Sequence, residues 1–385
     1  MKNNSRDNQL NIVMLGQKMV PSRAGGVEQV LTSLGPILVE KGVKLTCINR
    51  TGTPADEEFA EEYTGDTYKG ITLKSSLTIH MKGLAAMTSS FFASIIATFG
   101  DYDVIHYHAE GPAAMIWIPK LFGKKCVVTV HGLDWQRAKW AKGFGKKYIK
   151  FGEDMLVKHA DEIIVLSENV KNYFKGEYGR DTVFVPNGVI RPTVRPAQEI
   201  KKKYGLEGRD YFCSLCRLTE EKGIHYLIDA YKKLDTDKKL VIAGGTSDTD
   251  DYVKRLKKIA GDNPNIIFTG FVAGSLLDEI YSNAYCYILP SDIEGMPLSL
   301  LEAMSYGNAV IVSDIRENAE VVEDMGITFH KGNVEDLTNK LQHINNNPQE
   351  AERLRSASAE FILGKYNWYD VADKTIEVYR RALNK

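Results

Sequence analysis

The segment spanning residues 291–302 has the clearest chemical potential in the sequence, because it places a helix start directly after a strand. An apolar strand is predicted at residues 285–290, and Pro297 is predicted as the first helical residue, where its missing N–H is no loss. The free backbone amides of such a helix start form a ready anion site. The residues expected to line it are Gly295, Met296, Pro297, Leu298 and Ser299.

Two glutamates flank this helix start. Glu302 lies about 7 Å into the helix, a distance that suits a carboxylate accepting hydrogen bonds from ribose hydroxyls while phosphates occupy the helix start. Glu294 lies in the preceding loop, where it could meet a sugar hydroxyl. The alternative interpretation makes Glu294 a solvated loop acid and Glu302 a helix-surface acid.

Two cations, Arg217 and Lys222, lie at the end of the strand predicted at residues 211–218 and just before a predicted helix. In a doubly wound domain this is where a diphosphate is met. Both side chains stay charged and could neutralise charge developing on a departing diphosphate. The alternative is an ordinary surface pair in which Lys222 is matched by Glu220 or Glu221.

A glycine doublet and a histidine lie at strand ends in the first half of the chain. Gly25 and Gly26 permit positive φ and a close backbone approach to a ligand, although their loop is not the G-x-G-x-x-G dinucleotide fingerprint. His131 ends the strand predicted at residues 126–131 and could hydrogen-bond a sugar, or could be a satisfied core histidine. His106 and His108 share a strand face, but no third ligand has metal spacing, so no zinc site is predicted.

Composition excludes several classes of protein. The chain has 385 residues, with 49 Lys plus Arg against 50 Asp plus Glu, and this balance argues against a nucleic-acid binder. Five cysteines form no disulfide framework and suit a reducing, cytoplasmic compartment. The longest uncharged stretch, residues 83–100, holds five Ser or Thr residues and is predicted as a buried helix rather than a membrane span.

The elements that must position these residues alternate between apolar strands and amphipathic helices. Several of the predicted strands are continuous apolar runs, which are typical of strands buried on both faces, and strand–helix alternation indicates parallel βαβ units. One series fills residues 1–190 and a second fills residues 196–368, with a proline-containing linker at residues 191–196. We therefore predict an α/β protein with two doubly wound, Rossmann-like parallel-sheet domains facing a central cleft.

A basic, aromatic segment at residues 135–150 holds six cations and no acid. Such a segment is typical of an interfacial helix that meets anionic lipid. The alternative is an aromatic stripe packed on the core with a solvated basic face. The residues assigned to this membrane or acceptor face are Trp135, Arg137, Lys139, Trp140, Lys142, Lys146 and Lys147.

Taken together and in this order, the motifs closely resemble the retaining GT-B glycosyltransferases that use nucleotide-sugar donors. The resemblance covers nearly the whole chain, and its most specific part is the pair Glu294 and Glu302 with seven residues between them. Residues 19–28 and 131–140 resemble a bacterial subgroup that makes capsule, exopolysaccharide or cell-wall glycan. In this family the last helix, here residues 369–385, crosses back to the N-terminal domain.

The resemblance implies a role for each site residue. Arg217 and Lys222 would bind the donor diphosphate, Glu302 the ribose, and Glu294 a hydroxyl of the donor sugar. His131 would lie near that sugar, and the loop of Gly25 and Gly26 would close over the phosphates. The N-terminal domain would bind the acceptor and the C-terminal domain the donor.

The expected reaction is transfer of a hexosyl group, from a UDP-hexose or else dTDP-rhamnose, to a lipid-linked saccharide. No metal or other cofactor is expected. Since no second carboxylate is evident as a nucleophile, a front-face substitution fits better than double displacement. Two other functions stay open at this point: a GT-B-fold nucleotide-sugar epimerase, and a non-catalytic nucleotide-sugar-binding protein.

Overall fold

The computed structural model describes residues 9–81, 83–137, 143–245 and 250–385. The chain divides into two compact units. The first ends at Asn187 and also contains Trp368–Lys385, and the second is Gly188–Asn367.

An eight-stranded sheet with helices packed against it makes up the first unit. Its strands are β1 (Asn11–Leu15), β2 (Lys44–Arg50), β3 (Thr67–Tyr68), β4 (Ile71–Ser76), β5 (Val104–His108), β6 (Lys125–Val130), β7 (Glu162–Val165) and β8 (Val183–Phe184). Its helices are α1 (Gly26–Glu40), α2 (Leu84–Phe99), α3 (Glu110–Ala113), α4 (Trp117–Leu121), α5 (Phe144–His159), α6 (Glu168–Tyr178) and, from the end of the chain, α15 (Trp368–Leu383).

The strand order in this sheet is β3-β4-β2-β1-β5-β6-β7-β8. All neighbouring pairs are parallel except β3 and β4, a short antiparallel pair that the sequence did not predict. Every residue of β5 is buried, including His106 and His108, as is expected of a central parallel strand that is covered on both faces. The strand order reverses between β1 and β5.

The second unit holds a six-stranded, fully parallel sheet in the order β11-β10-β9-β12-β13-β14. Its strands are β9 (Tyr211–Leu215), β10 (Lys239–Ala243), β11 (Ile266–Gly270), β12 (Cys286–Leu289), β13 (Ala309–Ser313) and β14 (Ile327–Phe329). Its helices are α7 (Glu199–Tyr204), α8 (Ile224–Tyr231), α9 (Asp250–Ala260), α10 (Gly274–Asn283), α11 (Leu298–Ser305), α12 (Arg316–Val322), α13 (Val334–Asn346) and α14 (Pro348–Lys365). The two sheets confirm the prediction of two Rossmann-like parallel-sheet folds.

Helix α2 is only partly buried, which corrects the prediction of a buried helix at residues 83–100. Its buried face is made of small and hydroxyl side chains, and Ser94 and Thr98 each donate to the carbonyl four residues earlier. Because these hydroxyls are hydrogen-bonded within the helix, they can lie against the sheet. The larger apolar side chains of the helix then face outward. Leu84 is exposed, and the exposed fraction of Phe99 is 71%. Among the residues that the structure describes, no helix combines the length and the apolar character needed to cross a bilayer.

Helix α15 is joined to the first sheet by a buried hydrogen bond. The hydroxyl of Tyr379 lies 2.8 Å from Nδ1 of His106, a residue of β5. Both side chains are almost completely buried. The other ring nitrogen of His106 lies 2.7 Å from the hydroxyl of Thr129, so the imidazole is satisfied on both sides only while α15 is in place.

Replacing Tyr379 with phenylalanine is expected to lower the free energy of unfolding by about 1–3 kcal/mol, because it leaves Nδ1 of His106 buried without a partner. Urea denaturation followed by circular dichroism measures the change. Tyr369→Phe, which removes an exposed hydroxyl that donates to Glu40, is the matched control and is expected to change stability by less than about 0.5 kcal/mol. Equal losses in the two variants would contradict the assignment.

Candidate functional site

The loops that carry the predicted charged residues leave neighbouring strands of the second sheet. β9 and β12 pair in parallel, with Phe212 opposite Cys286. The strand order reverses between these two strands, and in doubly wound sheets ligands bind outside the carboxyl ends of the strands at such a reversal. The pairing therefore brings the loop after β9, which carries Lys222, to the loop after β12, which carries Glu294.

Lys222 and Glu294 form an ion pair, with Nζ 2.5 Å from Oε1. The exposed fractions of the two side chains are only 14% and 7%. Lys222 is thus not matched by Glu220 or Glu221, as the surface-pair alternative required, and Glu220 pairs instead with Arg255. Because both charges are shielded from water, removing either partner would leave the other charge uncompensated.

Arg217 begins the same loop and is half-buried. Its carbonyl accepts a hydrogen bond from the backbone N–H of Thr219 at 2.9 Å, which makes a tight turn at the end of β9. Arg217 and Lys222 thus lie on one short connection that leaves the end of β9.

Gly223 allows the two loops to pack backbone to backbone. It has φ of +65°, and a Cβ at this position would lie 2.1 Å from the carbonyl oxygen of Pro290. The backbone N–H of Asp292 donates to the carbonyl of Glu221 at 2.8 Å. The approach of Lys222 to Glu294 therefore depends on glycine at position 223.

The Gly223→Ala variant is expected to lose at least about 2 kcal/mol of stability, from the left-handed backbone and the collision with Pro290. The control is Gly176→Ala within α6, where an added Cβ meets nothing within 4 Å. That control is expected to gain about 0.5–1 kcal/mol from helix propensity. Thermal and urea unfolding of both variants test the contrast, and a neutral Gly223→Ala would show that the loops can separate without loss.

Helix α11 begins one residue later than predicted. Pro297 is its N-cap residue, with φ −75° and ψ 107°, and Leu298 is the first helical residue. The prediction of Pro297 at the first helical position is wrong because its ψ is extended. The amides of Leu298 and Ser299 precede Leu300, whose N–H donates to the carbonyl of Pro297 at 3.1 Å, and first-turn amides of this kind have no acceptor within their own helix. The hydroxyl of Ser299 is already engaged by Tyr287 at 2.9 Å.

The rest of the predicted donor segment surrounds this helix start. Gly295 and Met296 are buried in the loop, and Glu302 is half-buried on α11. The second unit therefore brings the first-turn amides of α11, two acids and the Lys222 loop into one strand–loop–helix region.

The glycine doublet does not use positive φ, contrary to expectation. Gly25 is extended, with φ −152° and ψ 159°, and Gly26 opens α1. A Cβ at Gly25 would lie 2.0 Å from Oε2 of Glu28, and Oε1 of Glu28 accepts from the backbone N–H of Lys18 at 2.7 Å. Gly25 thus accommodates a carboxylate that folds back over the start of its own helix.

His131 lies directly after β6 and is half-buried. Its Nε2 is 3.0 Å from Nδ1 of His108, the last residue of β5. Burial, together with the charge of Arg137, lowers the pKa of His131 to about 3, so the imidazole is neutral at pH 7. Burial likewise lowers the pKa of His106 to about 3. In the described part of the chain, no three His, Cys, Asp or Glu residues are grouped so that they could hold a metal ion.

Sequence reasoning missed Glu110, a completely buried acid that follows β5. Its Oε1 accepts from the backbone N–H of Asp134 at 3.1 Å. Burial, reinforced by the charges of Asp134 and Glu153, raises the pKa of Glu110 well above its usual range. An acid two residues after a predicted strand was the available signal, but its place in the fold depends on the strand order, which reverses between β1 and β5.

Trp135 packs inward rather than onto a membrane face, which corrects its assignment. Its indole N–H donates to Oε2 of Glu153 at 3.0 Å, and Nζ of Lys150 lies 4.2 Å from the ring centroid. Glu153 is completely buried, so the tryptophan and the lysine compensate a buried carboxylate.

The remaining residues of the basic segment are distributed differently. Arg137 pairs with Asp134 at 3.1 Å. Phe144, the first residue of α5, is 72% exposed, and Lys146 and Lys147 are exposed beside it. Lys139, Trp140 and Lys142 lie outside the described residues.

Two family descriptions match the chain, one in each half. The description "Glycosyltransferase Family 4" matches residues 24–190, and "Glycosyl transferases group 1" matches residues 196–361. Two Rossmann-like sheets that carry these matches define a GT-B glycosyltransferase. Both descriptions are of glycosyltransferases and together they span most of the chain, so the chain is a glycosyltransferase whose second half matches the group 1 family.

Several known proteins are similar to this chain. An uncharacterized glycosyltransferase of Methanocaldococcus jannaschii is 32% identical over 171 residues. This match covers 43% of this chain and 44% of that relative, so the chain spans less than half of its length. Alpha-maltose-1-phosphate synthase of Mycobacterium tuberculosis is 25% identical in an alignment 401 positions long, which covers 97% of this chain and 99% of that protein. A solved structure of Anabaena HepE in complex with UDP and glucose has a TM-score of 0.78 at 17% identity, and the match covers 96% of this chain and 99% of that one.

Proposed function

We propose that the protein is a retaining, metal-independent hexosyltransferase that uses a nucleotide sugar and a lipid-linked saccharide acceptor in bacterial capsule, exopolysaccharide or cell-wall glycan synthesis. The observation that carries the proposal is the shielded pair of Lys222 and Glu294 at the strand-order reversal of the second unit. A cation and a carboxylate held at such a point are suited to a diphosphate and to a sugar hydroxyl, respectively.

Each of the candidate site residues in the second unit then binds one part of the donor. Arg217 and Lys222 bind the diphosphate, and the amides of the α11 start add hydrogen bonds to it. Glu302 accepts from the ribose hydroxyls. When the diphosphate binds, Lys222 exchanges Glu294 for a phosphate oxygen, which frees Glu294 to accept from a hydroxyl of the donor sugar.

In the proposed reaction the acceptor hydroxyl attacks the anomeric carbon from the face that the diphosphate leaves. The bond from that carbon to the diphosphate oxygen breaks, the new glycosidic bond forms, and the acceptor proton passes to the departing phosphate. Arg217 and Lys222 stabilise the negative charge that develops on the leaving group. NMR of the new linkage is expected to show the anomeric configuration of the donor, and an inverted product would exclude this route.

A UDP-hexose is the proposed donor, with dTDP-rhamnose as the second candidate. The UDP and glucose bound by the Anabaena protein of similar fold support this preference. Incubation with one nucleotide sugar and no acceptor separates transfer from epimerisation, since only an epimerase would interconvert two nucleotide sugars.

The first unit is proposed to bind the acceptor and to contact the inner face of the membrane peripherally. Phe144 on α5 is exposed beside Lys146 and Lys147, and Phe99 is exposed on α2. Exposed aromatic side chains next to lysines favour a surface that contains anionic lipid. A lipid-linked acceptor would be presented at the same surface.

Nucleotide binding is the most direct test of the donor site. The melting temperature is measured with UDP, GDP, ADP and dTDP, each with and without EDTA. One nucleotide is expected to stabilise the protein by mass action, by about 2.7 kcal/mol at a hundredfold excess over its dissociation constant, and EDTA is expected to leave the shift unchanged. Arg217→Ala is expected to lose the shift while it keeps the ligand-free melting temperature. A protein that no nucleotide stabilises would refute the donor site, and a shift abolished by EDTA would refute metal independence.

A further inference from the structure

A completely buried side chain, Tyr287 of β12, joins the first turn of α11 to the end of β9. Its hydroxyl lies 3.1 Å from the carbonyl oxygen of Leu215, the last residue of β9. The same hydroxyl lies 2.9 Å from Oγ of Ser299, the second residue of α11. One phenol group therefore connects the strand that leads to the Lys222 loop with the helix that follows the Glu294 loop.

The groups that meet at Tyr287 decide where the hydroxyl protons lie. A carbonyl oxygen only accepts, so the single O–H of Tyr287 donates to Leu215. The hydroxyl of Ser299 must then donate to the oxygen of Tyr287. The side-chain proton of Ser299 is therefore used within the protein and is not available to a ligand.

A second buried tyrosine, Tyr281 of α10, holds the main chain of the same serine. Its hydroxyl donates to the carbonyl oxygen of Ser299 at 3.3 Å. The ring of Tyr281 stacks on that of Tyr306, with the centroids 5.2 Å apart. Tyrosines thus bind both the hydroxyl and the carbonyl of Ser299. Its backbone N–H belongs to the first turn, where amides have no acceptor within their own helix.

The ion pair of Lys222 and Glu294 is another connection between the same two elements, but it differs in kind. In the proposed function, Lys222 exchanges Glu294 for a phosphate oxygen, so that connection is broken when the diphosphate binds. The hydrogen bonds of Tyr287 join uncharged groups and take no part in the exchange. They remain to fix the helix start against the strand end while the ligand is bound.

We propose that Tyr287 is a positioning residue of the donor site, which fixes the first turn of α11 relative to the loop of Arg217 and Lys222. In this arrangement Ser299 meets a bound diphosphate through its backbone N–H and not through its hydroxyl. The ligand in this inference rests on the proposed function, whereas the hydrogen bonds of Tyr287 do not.

The positioning role is measured as the affinity for UDP by calorimetry. Tyr287→Phe is expected to weaken UDP binding about tenfold, because the first-turn amide is no longer held toward the diphosphate. Ser299→Ala removes the same hydrogen bond from the other side and is expected to weaken binding equally. The double variant Tyr287→Phe/Ser299→Ala is expected to lose about tenfold rather than about a hundredfold, because both changes act through one contact.

The matched control is Tyr285→Phe, at the residue that precedes β12. The hydroxyl of Tyr285 donates to the carbonyl of Ile344 at 2.7 Å, and its side chain is also buried. This variant removes the same kind of buried hydrogen bond at the opposite end of the strand from the loops. It is expected to lower the urea midpoint as Tyr287→Phe does, while UDP affinity stays within about twofold.

Several results would overturn the proposal. Wild-type affinity in folded Tyr287→Phe would exclude the positioning role, and tighter binding would show that the freed hydroxyl of Ser299 itself binds phosphate. Equal losses of affinity in Tyr285→Phe and Tyr287→Phe would show an effect of stability alone. If Tyr287→Phe does not fold, wild-type affinity in Ser299→Ala is the contradicting result.

Urea unfolding without ligand tests the hydrogen bond itself. Tyr287→Phe/Ser299→Ala is expected to lower the urea midpoint by less than the sum of the two single variants, because the residues share one contact. Tyr285→Phe/Ser299→Ala, whose residues share no hydrogen bond in the described part of the chain, is expected to be additive. Additive losses for Tyr287 and Ser299 would contradict the assigned bond.

The two experiments separate this inference from the proposed function. If UDP does not bind the wild-type protein, the UDP assignment fails, while the unfolding result still decides whether Tyr287 holds Ser299. If UDP binds and its affinity is insensitive to position 287, the donor site stands and Tyr287 has no positioning role.

Discussion

Replacing Lys222 with methionine is expected to reduce the rate of sugar transfer by about two to three orders of magnitude. The aliphatic stem is kept, so the change removes the charge that would stabilise the leaving diphosphate and little packing volume. Initial rates of nucleotide release in the presence of acceptor measure the effect. Lys201→Met, which breaks an exposed pair with Glu207, is the matched control and is expected to keep the wild-type rate.

Loss of stability must be separated from loss of chemistry in this variant. Without Lys222, the shielded carboxylate of Glu294 is uncompensated, which is expected to destabilise the protein by about 3–5 kcal/mol. The double variant Lys222→Met/Glu294→Gln removes both charges and is expected to recover most of that stability but none of the rate. A folded Lys222→Met protein with wild-type rates would exclude a catalytic role for the cation.

Neutralising Lys146 and Lys147 together as glutamines is expected to weaken binding to anionic vesicles about thirtyfold. Each lysine close to such a surface contributes about 1 kcal/mol, and about 2 kcal/mol corresponds to that factor. Both lysines are exposed on α5 near Phe144. Co-sedimentation with vesicles of anionic and of neutral lipid, at low and high salt, measures the change.

A control from the second unit distinguishes this surface from general charge. Lys202→Gln/Lys203→Gln removes two exposed lysines of α7 and is expected to leave vesicle binding unchanged. Phe144→Ser is expected to weaken binding at both salt concentrations, because its contribution is apolar. Equal loss in the two lysine pairs would indicate non-specific attraction and would contradict a membrane surface on α5.

Local patterns predicted most of the strands and helices, because strand burial and helical amphipathicity both appear as hydrophobic periodicity in consecutive residues. The same patterns did not correctly predict which face of each helix packs against the sheet and which faces solvent. Residues 83–100 form a helix as predicted, but Ser94 and Thr98 bond within the helix and face the sheet, which leaves Phe99 in solvent. Burial there depends on packing against β4 and on side-chain volume, which a hydropathy run does not contain.

The glycine doublet, Gly25 and Gly26, shows a second limit of prediction from local sequence patterns. The sequence indicated that backbone at Gly25 is approached closely, and in the structure the carboxylate of Glu28 makes a close approach to it. Trp135 was assigned outward for its aromatic, basic surroundings and instead pairs with Glu153, 18 residues away. In both cases a neighbouring carboxylate, which the local pattern did not single out, contacts the residue.

By itself, the sequence determined the α/β class, the two domain-sized series and the residue types that could meet a diphosphate and a sugar, because these depend on period, composition and local order. Tertiary structure alone decided which atoms meet. Lys222 and Glu294 are separated by 72 positions, and His108 and His131 by 23. Each pair is brought together by the order and register of parallel strands, which long-range packing sets and no local pattern of side chains specifies.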